Sequence, residues 1–336
     1  MARRERTTGL PRPRPRSHAR DDRRVAGIQL SDRNVRSGVF AVVVALGLLV
    51  LGMLSYRLYD NNIGQPRSSI LTVGGQPVSL RYYTDRLFKF VQDNQTSGQS
   101  VALLEQALLS KLEEEELTVL LANKNGIAIS EEDITNQIAA ELGVPVAGSG
   151  SSFDTLYRAR LKTVKVSDGN YRRLTRVTIA HNRLLEQYEK QVGTTAETVA
   201  VRAVVSNSKV ASDAVLVRIK AGEDMGTVAQ KESTDLNSRQ KDGVLDPQPV
   251  ALLPEPISKA LAAVKDGEIV GPVDANGNFW VLKVEGRDPQ GALSTTNIKQ
   301  IAQIKLDNAI KDLKNTTTIK RALDSSDIKW AEKHIK

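Results

Sequence analysis

Residues Leu252–Val273 read LLPEPISKALAAVKDGEIVGPV, and Asn276–Val284 follow as NGNFWVLKV. Asp266-Gly267 supplies a turn. Working outward, Val199–Ser206 alternates as a strand should, and Val210–Ala221 reads as a helix ended by Gly222. EDMGTVAQKES (223–233) and KDGVLD (241–246) fill the interval. Strands and helices interleave over this stretch, an α+β pattern.

Upstream the chain is helical in character. Ile70–Val73 and Gln76–Val78 read as two short strands about Gly74-Gly75, and Ser79 caps a helix through about Val91. Val101, Leu104, Leu108 and Leu112 then fall on one face of a longer helix that Gly126 ends. Within it, Glu113–Glu116 is expected to be a solvated charge run rather than a carboxylate site. Ser130 with Asp133 three residues on marks the next start, and Ile129 with Ile134 can staple it. Gly143–Ser152 is a glycine- and serine-rich loop; no Lys-Ser/Thr follows it, so it is no phosphate loop. A helix over about Asp168–Gln191 carries Leu174, His181 and Tyr188 on one stripe, which makes His181 a packed or edge residue.

Gly38–Tyr56, GVFAVVVALGLLVLGMLSY, holds no charge in nineteen positions. At ~1.5 Å per residue it spans roughly the ~30 Å hydrocarbon layer. Residues 1–37 hold eleven arginines against four acids, a net of +7, whereas the other 299 residues come to +1. The positive-inside rule keeps the arginine-rich end cytoplasmic and the bulk outside, as a single-pass protein of the cell membrane. A cleaved signal peptide and a buried soluble helix are the rival readings; no small-x-small site follows the apolar run. The tail, with PRPRPRS at 11–17, is expected to be disordered, and anionic headgroups are an alternative partner for it.

Composition excludes much. There is no cysteine, hence no disulfide, thiolate metal site or cysteine nucleophile, and the three histidines (His18, His181, His334) lie far apart. No metal and no cofactor is expected. The near-neutral body argues against a nucleic-acid partner.

LTVGGQPVSLRYYTDRL, LLEQALLSKLEEEEL and NKNGIAISEEDITNQIAAEL, in this order after a membrane segment, resemble the N-terminal chaperone region of the SurA family. The stretch over 199–286 resembles the parvulin-type peptidyl-prolyl isomerases of SurA and PrsA. After the basic tail (1–37) and the anchor (38–58), the resemblance implies a helical chaperone domain (68–196), a parvulin-like domain (197–287) and a C-terminal segment (288–336) returning to the helical domain.

By the same resemblance, Leu245, Leu253 and Ile257, with Met225 behind them, would form the pocket for a proline ring. Rotation about an X–Pro bond breaks no bond but faces a barrier of ~18–20 kcal/mol. It needs an apolar grip and a polar floor that favours the twisted amide. Active relatives commonly carry histidines on the first and last strands with a cysteine or aspartate between; the matching positions read Val204, Trp280 and Asp235. Asp235 is either the acidic site residue or a cap, and Trp280 either lines a peptide groove or packs. The glycine turn is altered to Asp242-Gly243-Val244-Leu245-Asp246. The resemblance thus implies a folding factor for exported polypeptides bearing X–Pro bonds, as an isomerase or as a degenerate parvulin acting as a holdase or envelope adaptor. A homodimer is left open.

Overall fold

A computed structural model describes residues 24–25, 28–29, 32–94, 101–146 and 152–334, with side chains over 37–93, 103–146 and 152–334. The tail expected to be disordered (1–37) lies largely outside these residues; where it is described it is ordered, as the paired strands Arg24–Val25 and Ile28–Gln29 and a helix from Asp32. Contacts divide the chain into Met1–Pro66 and Arg67–Lys336.

In the first unit, helix α1 (Asp32–Tyr59) starts six residues ahead of the expected Gly38 and runs on through a π-helical turn, Asp60–Gly64. Its 28 residues rise ~42 Å, and Val39 through Tyr59 present exposed apolar side chains, Phe40 and Met53 among them. By length and composition it can cross a membrane, and it is a candidate anchor.

The second unit opens with the hairpin β1 (Ser69–Val73) and β2 (Gln76–Ser79). Gly74 and Gly75 both have positive φ (56° and 86°), the backbone that a two-residue hairpin turn requires. Ser79 accepts from Tyr82 N at 3.2 Å and so caps α2 (Leu80–Asn94) as expected. Next come α3 (Val101–Lys124), α4 (Glu131–Leu142), α5 (Ser152–Val164) and α6 (Asp168–Val192). The Ser130–Asp133 capping box is complete at the start of α4, and Ile129 and Ile134 share one cluster. Sequence periodicity missed α5, whose Phe153 and Tyr157 stack at 5.6 Å against Ile134, Ile138 and Ile179.

The chain then builds an antiparallel sheet ordered β4-β3-β6-β5, from β3 (Thr195–Ser206), β4 (Val244–Pro249), β5 (Ile269–Ala275) and β6 (Asn278–Ala292). Helices α7 (Lys209–Lys220) and α8 (Met225–Glu232) cover one face. A 3₁₀ turn (Val250–Leu252) and α10 (Glu255–Ala262) cover the other, while α9 (Leu236–Arg239) leads into β4.

The C-terminal elements return to the helical half. In α11 (Thr295–Thr316), Leu306, Ile310 and Leu313 enter the same core as Leu71, Tyr83, Leu108 and Leu112. β7 (Ile319–Arg321) pairs with β1 to complete a sheet ordered β2-β1-β7, and α12 (Ser325–His334) adds Trp330 to that core.

Glu113–Glu116 is not the solvated run the sequence suggested. Glu113 is 1% exposed and pairs with Lys314 and Arg321. Glu115 is paired with Arg86 at 2.7 Å and Glu116 with Arg173 at 2.7 Å. Only Glu114 of the four faces water. The run sits where the elements from both ends of the unit converge on α3, so its charges become internal ties.

Candidate functional site

Sheet register decides which candidate residues meet. Val205 on β3 and Val273 on β5 both lie opposite Trp280 on β6, and Leu282 lies opposite Ala203. Residues directly opposite share a face of the sheet. Trp280 therefore stands on the face of Val201, Ala203 and Val205, with Leu245 from β4 at the edge. Leu253 and Ile257 close over this face, and Leu261 continues the cover one turn on. Arg287 fastens that cover by donating through Nη2 to the carbonyls of Leu261 (2.6 Å) and Val264 (3.1 Å) at the end of α10.

Four of the sequence-predicted residues are thus brought together: Leu245, Leu253, Ile257 and Trp280. Ile257 is only 4% exposed, and Leu245 and Leu253 are half-buried. The indole Nε1 of Trp280 is buried and finds no hydrogen-bond partner among the described residues.

Two are placed elsewhere. Val204 lies opposite Val281, on the other face of the sheet, in a cluster with Met225, Val215 and Val228. Val204 and Trp280 are back to back, so they do not form a pair of facing positions. The two neighbours of Val204 on β3, Ala203 and Val205, are on Trp280's side, and both are aliphatic and buried.

Asp235 is a cap. Its carboxylate accepts from Ser238 N at 3.1 Å and from Ser238 Oγ, at the start of α9. The preceding residues dock on the end of β3: Thr234 N donates to Val205 O at 2.8 Å, and Val205 N donates to Ser233 Oγ at 3.1 Å. The altered glycine turn is nevertheless built. Gly243 has φ +80°, and a Cβ there would stand 2.7 Å from Ala203 O and 2.8 Å from Ala229 Cβ. Only glycine lets this turn press on β3, where Ala203 N donates to Gly243 O at 2.8 Å. Arg202, one residue before Ala203, sits on Val204's face. Arg202 Nε donates to Glu285 Oε1 at 2.9 Å, and the hydrogen bond holds that carboxyl below its ordinary value.

The long helices expected over 101–124, 131–142 and 168–191, whose apolar faces the sequence left partly uncovered, bound a second concavity. A groove of about 730 Å³ runs between the β1–β2 turn, α3, the start of α4 and α6. Val119, Leu120, Ile129 and Val177 form its apolar wall; Arg172, Arg173 and Arg176 line it together with Glu116 and Glu131. Arg173 is built in: it donates to Glu116 Oε1 and to Pro77 O at 3.1 Å, and lies 4.8 Å over the Tyr82 ring. Burial pushes the Tyr82 hydroxyl up to about 12. Arg172 and Arg176 converge instead on one carboxylate. Glu131 Oε2 accepts from Arg172 Nη2 at 2.7 Å and Nε at 3.0 Å, and Oε1 accepts from Arg176 Nη2 at 2.5 Å. Hydrogen bonding from Arg172, then charge from both arginines, holds the Glu131 carboxyl below its ordinary value. Among the described residues, no group of three or more His, Cys, Asp or Glu side chains gathers as a metal site.

A family model for a SurA-like N-terminal domain matches residues 29–185, and one for the PPIC-type PPIase domain matches 183–300. The two overlap at 183–185 and together run from the start of α1 through the sheet to the start of α11. The chain belongs to the SurA/PrsA parvulin family. It is similar to the chaperone SurA of Yersinia pestis, 26% identical over 286 residues, covering 75% of this chain and 64% of that protein. It is similar also to the chaperone SurA of Legionella pneumophila strain Paris, 24% identical over 257 residues, covering 67% and 59%. The chain thus spans about two thirds or less of the length of these relatives. Among solved structures, PrsA from Bacillus cereus is 16% identical, with 81% of this chain and 99% of that chain covered and a TM-score of 0.41.

Proposed function

We propose that this parvulin-family chain is a folding factor for exported polypeptides, anchored by α1 with its bulk outside the cytoplasm, and that its parvulin-like domain grips apolar, proline-bearing segments while turning X–Pro bonds slowly or not at all. The observation that carries the reading is the face shared by Leu245, Leu253, Ile257 and Trp280. It offers an apolar grip, yet both facing β3 positions are aliphatic and Asp235 is committed to Ser238. Catalysis of amide rotation comes from interactions stronger in the twisted state than in the planar one. The aliphatic β3 positions supply none of the preorganised dipoles that would make that difference. Holding a client, by contrast, needs only complementary surface. The SurA-like half, with the groove beside α6, supplies it. The names of the similar proteins, chaperone SurA, agree with that role.

The test is a protease-free isomerisation assay on a set of X–Pro tetrapeptides, with the full chain in lipid nanodiscs, run beside an aggregation assay on an unfolded test protein. Aggregation should fall near stoichiometric ratios while isomerisation stays close to the uncatalysed rate. Isomerisation as fast as that of a histidine-bearing parvulin would overturn the second half of the reading. Unchanged aggregation would overturn the first.

A further inference from the structure

Glu131 occupies a cradle built for a carboxylate while being held by little else. Its side chain is 65% exposed, whereas Arg172, which grips it through two nitrogens, is 23% exposed and Arg176 40%. The arginines are the better-placed partners. Arg172 is further fixed by donating to Glu131 O and Thr135 Oγ1, each at 3.1 Å, so its guanidinium keeps its place when the Glu131 side chain swings into water. Among the described residues that line the groove, three guanidiniums stand with two carboxylates. Beside the cradle run Val119, Leu120 and Ile129, all half-buried rather than sealed in the core.

We propose that this groove is a binding site for extended apolar polypeptide segments that carry a carboxylate, and that the client's carboxylate displaces Glu131 from between Arg172 and Arg176. The inference rests on the client-binding reading above and names the chemistry of one of its sites. Guanidinium pairs suit this exchange, because a bidentate fork recognises a carboxylate by geometry as well as by charge. Glu131 is then an internal competitor: it keeps the cradle satisfied when no client is present and yields because its own side chain is exposed. The client's apolar side chains lie along Val119, Leu120 and Ile129. Specificity is set by the carboxylate, since apolar contact alone does not discriminate one greasy segment from another.

The experiment uses the full chain in nanodiscs of neutral lipid and the fluorescence anisotropy of labelled nine-residue leucine-rich peptides. One peptide ends in a free carboxylate, one is C-terminally amidated, and one is amidated but carries an internal glutamate. A carboxylate-bearing peptide should bind about five- to tenfold tighter than the plain amide, the size expected of one partly exposed bidentate pair. Whichever arm shows the gain identifies the terminus or the side chain as the source. Glu131→Gln should tighten binding of that peptide severalfold and leave the plain amide unchanged. Arg176→Gln should abolish the discrimination, and Arg172→Lys should reduce it, with thermal melts confirming that each variant is folded. Equal binding of all three peptides, or no effect of Glu131→Gln on the carboxylate peptide, overturns the proposal while leaving client holding intact. If no peptide binds and the same preparation does not slow aggregation, the client-binding reading falls with it.

Discussion

Glu113 and Arg321, 208 positions apart in the chain, meet in a two-pronged ion pair: Glu113 Oε2 accepts from Arg321 Nη2 at 2.6 Å and from Nε at 2.9 Å. Lys314 Nζ stands 2.6 Å from the other oxygen. The pair joins the middle of α3 to the strand that completes the β2-β1-β7 sheet, so it ties the C-terminal return to the helical half. Burial pushes the Glu113 carboxyl up, but hydrogen bonds from Lys314 and Arg321 outweigh it and the net direction is down.

Glu113→Ala should lower stability by about 2–4 kcal/mol, since removing one partner of a buried pair strands the other charges. The sign of the pH dependence follows from the depressed pKa. Glu113's contribution is fully present above the unfolded carboxyl value of ~4.3 and is lost as pH falls through the folded value. Thermal unfolding of the two proteins should therefore converge as pH is taken from 7 toward 3. A constant gap across that range would contradict the assignment.

Glu105 should behave in the opposite sense. It is 6% exposed, one of its oxygens is unpartnered among the described residues, and burial followed by the nearby Glu332 raises its pKa. A raised pKa makes ionisation a cost to the folded state, absent below the unfolded value and fully developed above the folded one. Glu105→Gln should raise the melting midpoint by about 2–4 °C at pH 8 and change it little at pH 4. A shift of equal size at both pH values would rule out titration of Glu105 as its cause.

Ile257 and Leu253 cover the same sheet face but differ in exposure. Ile257→Ala should cost about 2–4 kcal/mol, because it opens a cavity in a closed core. Leu253→Ala should cost about half that and fall mainly on binding of proline-bearing peptides, read as a change in Kd with the melt nearly preserved. Equal losses of stability from both would make the cleft plain core.

Protease added to intact cells should digest residues beyond about Asp60 and spare the arginine-rich N-terminus. The reasons are the charge of +7 over residues 1–37 and the uncharged span that follows. Digestion of the tail with an intact body would reverse the orientation.

Features settled by residues close in the chain were legible beforehand. The Gly74-Gly75 turn, the Ser79 cap and the Ser130–Asp133 capping box each rest on contacts within three or four residues, so the sequence carries their whole cause. The apolar run of α1 was equally plain, although its helix begins at Asp32, ahead of the expected Gly38. The parvulin-like sheet could be placed because glycine, proline and alternating aliphatics mark its turns and strands.

Facing and pairing could not be read that way. Whether Val204 or its neighbours share a face with Trp280 depends on the pairing of β3 with β6, where a register shift falls between Ala200 and Val201. A slip of one residue turns every side chain over, and no local signal announces it. The helix α5 follows a glycine- and serine-rich stretch of sequence, and is supported by Phe153 and Tyr157 meeting distant isoleucines. Glu113, Glu115 and Glu116 read as a solvated run because their partners, Arg321, Arg86 and Arg173, come from three separate elements. The cradle of Arg172, Arg176 and Glu131 has the same origin. The sequence alone determined where the chain turns, starts its helices and places its apolar span, since those causes act over a few residues; only the tertiary structure decided which charges are buried and which faces meet, because long-range packing sets the solvent exposure on which both depend.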